Sequence, residues 1–513
     1  MANPVRPPFK TRKKQTLDYF NFLRLGKAVH WAAAPRARYY TAFQLPFVGG
    51  GRSVRDWPGL LQADYDMPPR EPFFGKWVPE PQDGVPAGGH SAGTTAKKIH
   101  RSLDAQGWEI IKILGWGGFG LVCLFKRKRR FRGRIIKRVV KWSFVEGDMR
   151  SEKEKLLEFE GAMHVAQISK TAEGMFEKAA KDLPEPPDDV TQNFMFLDYY
   201  PRGGLDKVLE KVAEARQPLS DYTLWLMFDC LFRMAVALRY PPKAWPGFGQ
   251  HNHNHYERIP APVAPRGRSR PEQTRNQNID ERNFVHFDID PSNIMIADLD
   301  NGDHETVPNL KLNDVGLCVE ITNAVAGKAK SMWDFRRRGK DGWLTPEQFS
   351  TEWNYVKSHP SGARIAGQYT WKTNLWQLGQ VMWCLISHRV PPSGPIPENV
   401  VPDGGHGPMR WTYGKFITRN APPDVFTDTD LELRNLVVRC MMDDPADRPE
   451  MDELERIISE GIQRHDPGPR RRQALRPSAV TVDPIFGDPK VPRAQIAKRI
   501  SDWLERANDI HFI

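Results

Sequence analysis

Only five cysteines stand in 513 residues, scattered singly at Cys123, Cys230, Cys318, Cys384 and Cys440 with no C-x-x-C pair. An odd, dispersed set suggests neither a disulfide framework nor a zinc motif, and it fits a reducing, intracellular compartment. Also missing is an apolar run of about 18 residues, the minimum for crossing a bilayer. The most apolar stretch, Leu224 to Leu238, is interrupted by Asp229 and Arg233, so no membrane span is expected. Serine is absent from the first 47 residues, which carry nine Lys or Arg against a single acid, Asp18. A transit peptide is therefore matched only in part, and a solvated basic tail is the simpler reading, with Lys10 to Lys14 as a candidate nuclear address. Cytoplasm or nucleus is the expected location.

What is present is ample for a core: 40% of residues are hydrophobic and 11% aromatic. The net charge of +11 favours acidic partners such as nucleotide phosphates, nucleic acid or an anionic surface without choosing among them. No nucleic-acid recognition module is visible, so nucleic acid is not the expected partner. Residues 1–106 are rich in Pro, Gly and Arg and hold no sustained period, which predicts an irregular basic extension that Trp57, Phe73 or Phe74 could dock. Residues 241–283 are polar and Pro- and Arg-bearing, which predicts a disordered insertion; His251, His253 and His255 within it lack zinc spacing. In the tail, residues 466–513, Arg470 to Arg472 precede Ile496, Ile500, Trp503 and Leu504. Their spacing predicts a short amphipathic helix that docks on the body or on a partner.

Between these segments the pattern is regular. Glu109 to Leu114 and Leu121 to Phe125 read as paired strands joined by Gly115-Trp116-Gly117-Gly118-Phe119-Gly120. Glycines there permit a tight turn whose N–H groups can meet phosphate oxygens. Because the loop joins two strands instead of opening a helix, a dinucleotide fold is disfavoured. A further strand, Ile135 to Trp142, carries Lys137 and Lys141 on one face. The span Glu152 to Ile168 reads as a helix leaving into a strand, with Leu156, Phe159 and Met163 on one side of the helix, and Leu219 to Leu238 as a buried helix stopped by Pro241 and Pro242.

The stretch His286-Phe287-Asp288-Ile289-Asp290-Pro291-Ser292-Asn293, H-x-D-x-x-P-x-N, resembles the catalytic loop of protein kinases. The resemblance extends in chain order over about Trp108 to Ile462. The glycine loop followed by Val122 is similar to G-x-G-x-x-G-x-V, and Val139-Val140-Lys141 to the strand bearing the phosphate-holding lysine. Asp314-Val315-Gly316 is similar to D-F-G, Thr345-Pro346-Glu347 to A-P-E, and Thr373 to Gly379 to D-x-W-x-x-G with Asn374 in place of Asp. Arg448 is the expected partner of Glu347. The overall style resembles divergent kinases expanded in filamentous fungi.

The resemblance implies an α+β, bilobal fold: a small β-rich N-lobe over about 107–198 and a larger, mainly α-helical C-lobe over about 199–465. It implies a Ser/Thr protein kinase using ATP and Mg2+ on a protein substrate. Asp288 would take the acceptor hydroxyl's proton, while Asn293 and Asp314 would hold the metal. Lys141, with Lys137 as rival, would pair with Glu152, with Glu154 as rival. Gly115, Gly117, Gly118, Gly120 and Val122 would cover the nucleotide, and Leu197 would be the gatekeeper. Asp198 and Tyr200 would bond the adenine through backbone groups.

Four departures bear on turnover. Phe287 stands where many kinases have the Arg that reads a phosphorylated activation segment, and Asp290 where Ser/Thr kinases have a Lys. Val315 replaces Phe, and Asn374 replaces Asp. A negative Asp290 would repel the phosphate and Asp288 unless it meets a cation. The alternative is a pseudokinase that serves as a nucleotide- or partner-binding scaffold. Arg336 to Arg338 read either as a solvated charge run or as a site for an acidic substrate.

Overall fold

The computed structural model describes residues 107–117, 120–128, 135–143, 148–169, 194–215, 218–242, 281–299, 304–340, 342–350, 362–389, 397–401, 408–419 and 426–468, together with Ile99, Leu103, Glu257 and Ile259. The fold is α+β with two lobes, as the resemblance implies. In the first, β1 (Trp108–Gly117), β2 (Gly120–Lys128), β3 (Ile135–Ser143) and β4 (Phe194–Asp198) form an antiparallel sheet in the order β1-β2-β3-β4. Strand alternation divides its side chains. Leu121, Cys123, Phe125, Val140, Phe194 and Phe196 pack on one face, and Leu124, Val139, Met195 and Leu197 face the main core.

Helix α1 (Asp148–Glu158) joins that core through Met149 and Leu156. It ends at Glu158, Gly161 takes φ +86°, and the chain then leaves into extended backbone, where Val165 and Ile168 form isolated bridges to Leu312 and Leu197. The N-terminal extension needs correction, because Ile99 and Leu103 are helical and bury against the outer face of the sheet. They cover aromatic surface that would otherwise meet water.

The second lobe is built on α3 (Asp221–Arg239), which follows α2 (Leu205–Ala215) and is capped by Ser220 accepting from the Thr223 N–H at 3.2 Å. Helices α4 (Trp371–Ser387), α5 (Leu431–Cys440) and α6 (Met451–His465) complete the core with it. Gly461 lets α6 lie directly on the Trp225 ring, where any Cβ would collide. No helix among the described residues is long and apolar enough to cross a membrane.

Two short ladders position the loop of interest. β5 (Phe284–Val285) pairs with β8 (Val319–Glu320), and β6 (Ile294–Ile296) with β7 (Leu310–Leu312). Residues 286–293 run between β5 and β6, and Asp314 follows β7, so the two pairings bring Asp288, Asn293 and Asp314 to one place. The Asn313 N–H donates to Asn293 O at 2.8 Å and closes the join.

Candidate active site

Lys141 points from β3 toward α1, where its Nζ lies 2.8 Å from Glu152 Oε1 and 2.8 Å from Asp314 Oδ1. Burial pulls the ammonium's pKa down, but Asp314 and Glu152 more than offset it and hold Lys141 charged. Burial likewise raises Asp314, yet Lys141 brings it down to about 2. The rivals sit elsewhere. Lys137 reaches the Tyr199 ring at 5.9 Å, and Glu154 pairs with Arg150 on an exposed face. Strand parity could not separate Lys141 from Lys137; distance along β3 does, because only Lys141 is level with α1.

Beside the glycine loop Gly115 faces Val122 and Gly117 faces Gly120 across the β1–β2 pairing; Gly118 and Phe119 lie outside the described residues. At the end of β4, Leu197 is buried, and the Asp198 N–H donates to Gln167 O at 3.3 Å. Recognition of an adenine by Asp198 would therefore rest on its carbonyl. Tyr200 O accepts from the Gly203 N–H at 3.2 Å. His251, His253 and His255 lie outside the described residues.

Asp288 is nearly buried, with Oδ2 accepting from Asn293 Nδ2 at 2.8 Å and Oδ1 without a hydrogen-bond partner. The same Asn293 amide donates to Asp288 O at 2.8 Å, which turns its Nδ2 away from any metal and leaves its carbonyl oxygen as the ligand atom. Asp314 is in the left-handed region at φ +60°, and Phe287 at φ +65°. Non-glycine residues in this conformation cost energy and concentrate at functional sites. The left-handed residue of this turn is Asp314, not Gly316. A Cβ at Gly316 would be tight, 3.2 Å from Asp314 Oδ1, and in contact with Glu152 Oε2 at 3.5 Å.

The departures from pattern are each answered by a contact. Asp290, fully buried, forms an ion pair with Lys340, a residue the sequence reading missed. Lys340 Nζ also donates to Ser292 Oγ at 2.9 Å and lies 3.6 Å from Asp288 Oδ2. The cation absent at position 290 is thus supplied from the segment between Asp314 and Glu347, which would be the activation segment of a kinase, and Gly339 (φ +99°) lets that segment press on Phe287 O, where a Cβ would clash. Phe287 packs tilted against Phe335 (5.4 Å) and edge to face with Tyr369 (5.2 Å), joined by Met332 and Trp333. An aromatic cluster holds the segment where many kinases would use an arginine and a phosphate. Val315 is fully buried in the main core.

Asn374 accepts from the His286 N–H at 2.9 Å and donates to Phe284 O at 2.7 Å, the second being a bond that Asp could not make. One turn on, Gln377 braces Phe287 O at 3.1 Å and Trp343 O at 2.9 Å. Nothing in its local pattern marked it. Arg336 overturns both readings of the basic run: it is fully buried and donates to Gln348 O at 2.7 Å and Ser350 O at 2.6 Å. Arg338, partly buried, donates to Leu317 O at 3.0 Å. Beneath the segment, Glu347 and Arg448 form a buried two-pronged ion pair at 2.7 and 3.0 Å.

Residues 277–458 match the sequence model of the protein tyrosine and serine/threonine kinase family. The chain is 22% identical over 187 residues to a probable serine/threonine-protein kinase, gdt2, of Dictyostelium discoideum, an alignment spanning 36% of this chain and 9% of that protein. It is also similar to a chain in the structure of the CAK complex from Chaetomium thermophilum bound to ATP-gamma-S, with TM-score 0.41 and 16% identity over 74% of this chain and 97% of that one.

Proposed function

We propose, from the premise that this chain belongs to the eukaryotic protein kinase superfamily, that it transfers the γ-phosphoryl group of ATP to Ser or Thr hydroxyls of a protein substrate. The observation that carries the reading is the convergence of Lys141, Glu152, Asp314, Asn293 and Asp288, with Lys340 neutralising Asp290. The acidic substitution that argued for a pseudokinase is offset within the same site.

Lys141, fixed by Glu152, would hold nucleotide phosphates, and the Gly115–Gly120 hairpin would cover them. Asn293 and Asp314 fit a magnesium site, because both offer oxygens and Asp314 stays ionised beside Lys141. Bound magnesium would supply charge neutralisation for the transferring phosphoryl group. Asp288 would orient the hydroxyl and accept its proton. Catalysis of this kind rests on positioning and charge stabilisation. Five unpaired, buried cysteines fit an intracellular setting.

Incubating the protein with Mg2+, labelled ATP and a generic basic protein, followed by phosphoamino-acid analysis, tests the reading. Label on Ser or Thr is expected. Label on Tyr alone would refute the specificity, and no label, with thermal stabilisation by Mg-ATP retained, would favour the scaffold.

Two further outcomes follow from the departures. Lys340→Ala should lower kcat by about 100-fold, the scale of losing one positioned charge, with KM for ATP little changed. Adding Asp290→Lys to that variant should recover part of the loss; no effect of Lys340→Ala would show the ion pair to be incidental. Because Phe287, Phe335 and Tyr369 order the activation segment, phosphatase treatment should leave the transfer rate unchanged. A large fall in a phosphatase-treated sample would contradict that account.

A further inference from the structure

A second group of chemistry-bearing side chains lies outside the phosphate-transfer site. His164 follows α1, Cys230 sits in mid-α3, and His304 lies between β6 and β7; all three are buried, at 2%, 1% and 5% exposure. One donor atom from each lies within 4.8 Å of the others. Cys230 Sγ is 3.8 Å from His304 Nδ1, and the two imidazoles stand edge to face with centroids 5.1 Å apart.

The insertion expected to be disordered supplies a fourth element. Glu257 is buried, accepts the His164 backbone N–H at 2.6 Å and also binds His164 Nδ1. Its own carbonyl accepts from Arg233 of α3 at 3.0 Å. With Nδ1 turned to the carboxylate, His164 Nε2 is the free nitrogen, and it is buried with no hydrogen-bond partner. A carboxylate on one ring nitrogen, leaving the other for an ion, is the arrangement by which protein scaffolds orient histidine toward a metal. A Cys–His hydrogen bond alone would leave that nitrogen unsatisfied, whereas an ion engages all three donors.

We infer that His164, Cys230 and His304 bind a zinc ion, with Glu257 as the positioning residue for His164. Zinc bonds of about 2.3 Å to sulfur and about 2.0–2.1 Å to nitrogen place tetrahedral donors about 3.4–3.6 Å apart, so the cluster needs only a small contraction. Two nitrogens and a sulfur favour zinc over magnesium or calcium, which take oxygen ligands. On binding, the Cys230 thiol passes its proton to solvent and the thiolate coordinates the ion. The site would tie the stretch after α1 to α3 and to the β6–β7 connection. His164 O accepts from the Leu312 N–H at 2.8 Å, two residues before Asp314, so such a tether would steady the strand that presents Asp314.

The test uses the full chain, reconstituted with zinc and desalted. About one zinc per chain is expected by elemental analysis, falling several-fold in Cys230→Ser and in His304→Gln. Chelator treatment should lower the melting temperature of the unmodified protein, and zinc alone should restore it, with neither effect in the variants. Cobalt(II) in place of zinc should give a thiolate charge-transfer band that Cys230→Ser abolishes. Should that variant fail to fold, the zinc content, chelator response and cobalt band of the unmodified chain still decide the matter. Trace zinc after reconstitution, or equal retention in the folded variants, would leave a metal-free hydrogen-bonded cluster and overturn the inference.

Discussion

Asp288→Ala is expected to lower phosphate transfer by about 1,000-fold, within the range for losing a positioned general base, while Mg-ATP still stabilises the protein in a thermal shift. The carboxylate is held by Asn293, its second oxygen is buried without a protein partner, and Lys340 lies 3.6 Å away. That second oxygen is the natural acceptor for a substrate hydroxyl. Nucleotide contacts assigned to Lys141 and Asp314 do not pass through it, so binding should survive. Asp288→Asn should be as inactive as the alanine variant, because it keeps the shape and loses the basic oxygen.

The pH response has a definite sign. Burial, with Asp290 and Asp314 adding, raises the Asp288 pKa above the usual carboxylate range, against the opposing pull of Lys340 and Asn293. The active form is the deprotonated one, so kcat/KM should fall as pH is lowered, and fall earlier than an ordinary aspartate would allow. Equal transfer by the wild type and Asp288→Ala would remove Asp288 from the mechanism.

Arg448→Met should destabilise the fold by about 3–5 kcal/mol, the cost of leaving one charge of a buried pair uncompensated. The Tm should drop by about 10 °C. Arg448 and Glu347 are both wholly buried, and the guanidinium also donates to Met442 O at 2.9 Å, Lys372 O at 2.7 Å and Asp443 O at 3.3 Å. Thr373 Oγ1 adds a bond to Glu347 at 2.9 Å. These contacts join the end of the activation segment to α4 and to the turn before α6, so the loss is not local. Combining Arg448→Met with Glu347→Leu should cost less than the sum of the single changes, because no buried charge then stands alone. Additive losses in chemical denaturation would show that the two side chains act independently.

The parts legible in the sequence are those whose chemistry fits in a short window. H-x-D-x-x-P-x-N, the glycine hairpin and Asp314-Val315-Gly316 each constrain their own backbone, and their order along the chain implied the two lobes. The apolar run of α3 announced a buried helix with its stop at Pro241. What was misread depended on distant neighbours. Arg336 looks like a surface charge until Gln348 O and Ser350 O are brought to it. Glu257 sits in a polar insertion that local composition marks as unable to pack, yet His164, 93 residues earlier, gives it a buried partner.

The sequence by itself determined which residues line up as Asp288, Asn293 and Asp314, since motif spacing is a property of the local chain, whereas Lys141 was separated from Lys137 only by its contacts with Glu152 and Asp314. Only the tertiary structure decided whether their surroundings tolerate Asp290, because the answering cation, Lys340, comes from 50 residues away. Charge balance in a buried site is set by what packs beside it in space, and no local pattern carries that information.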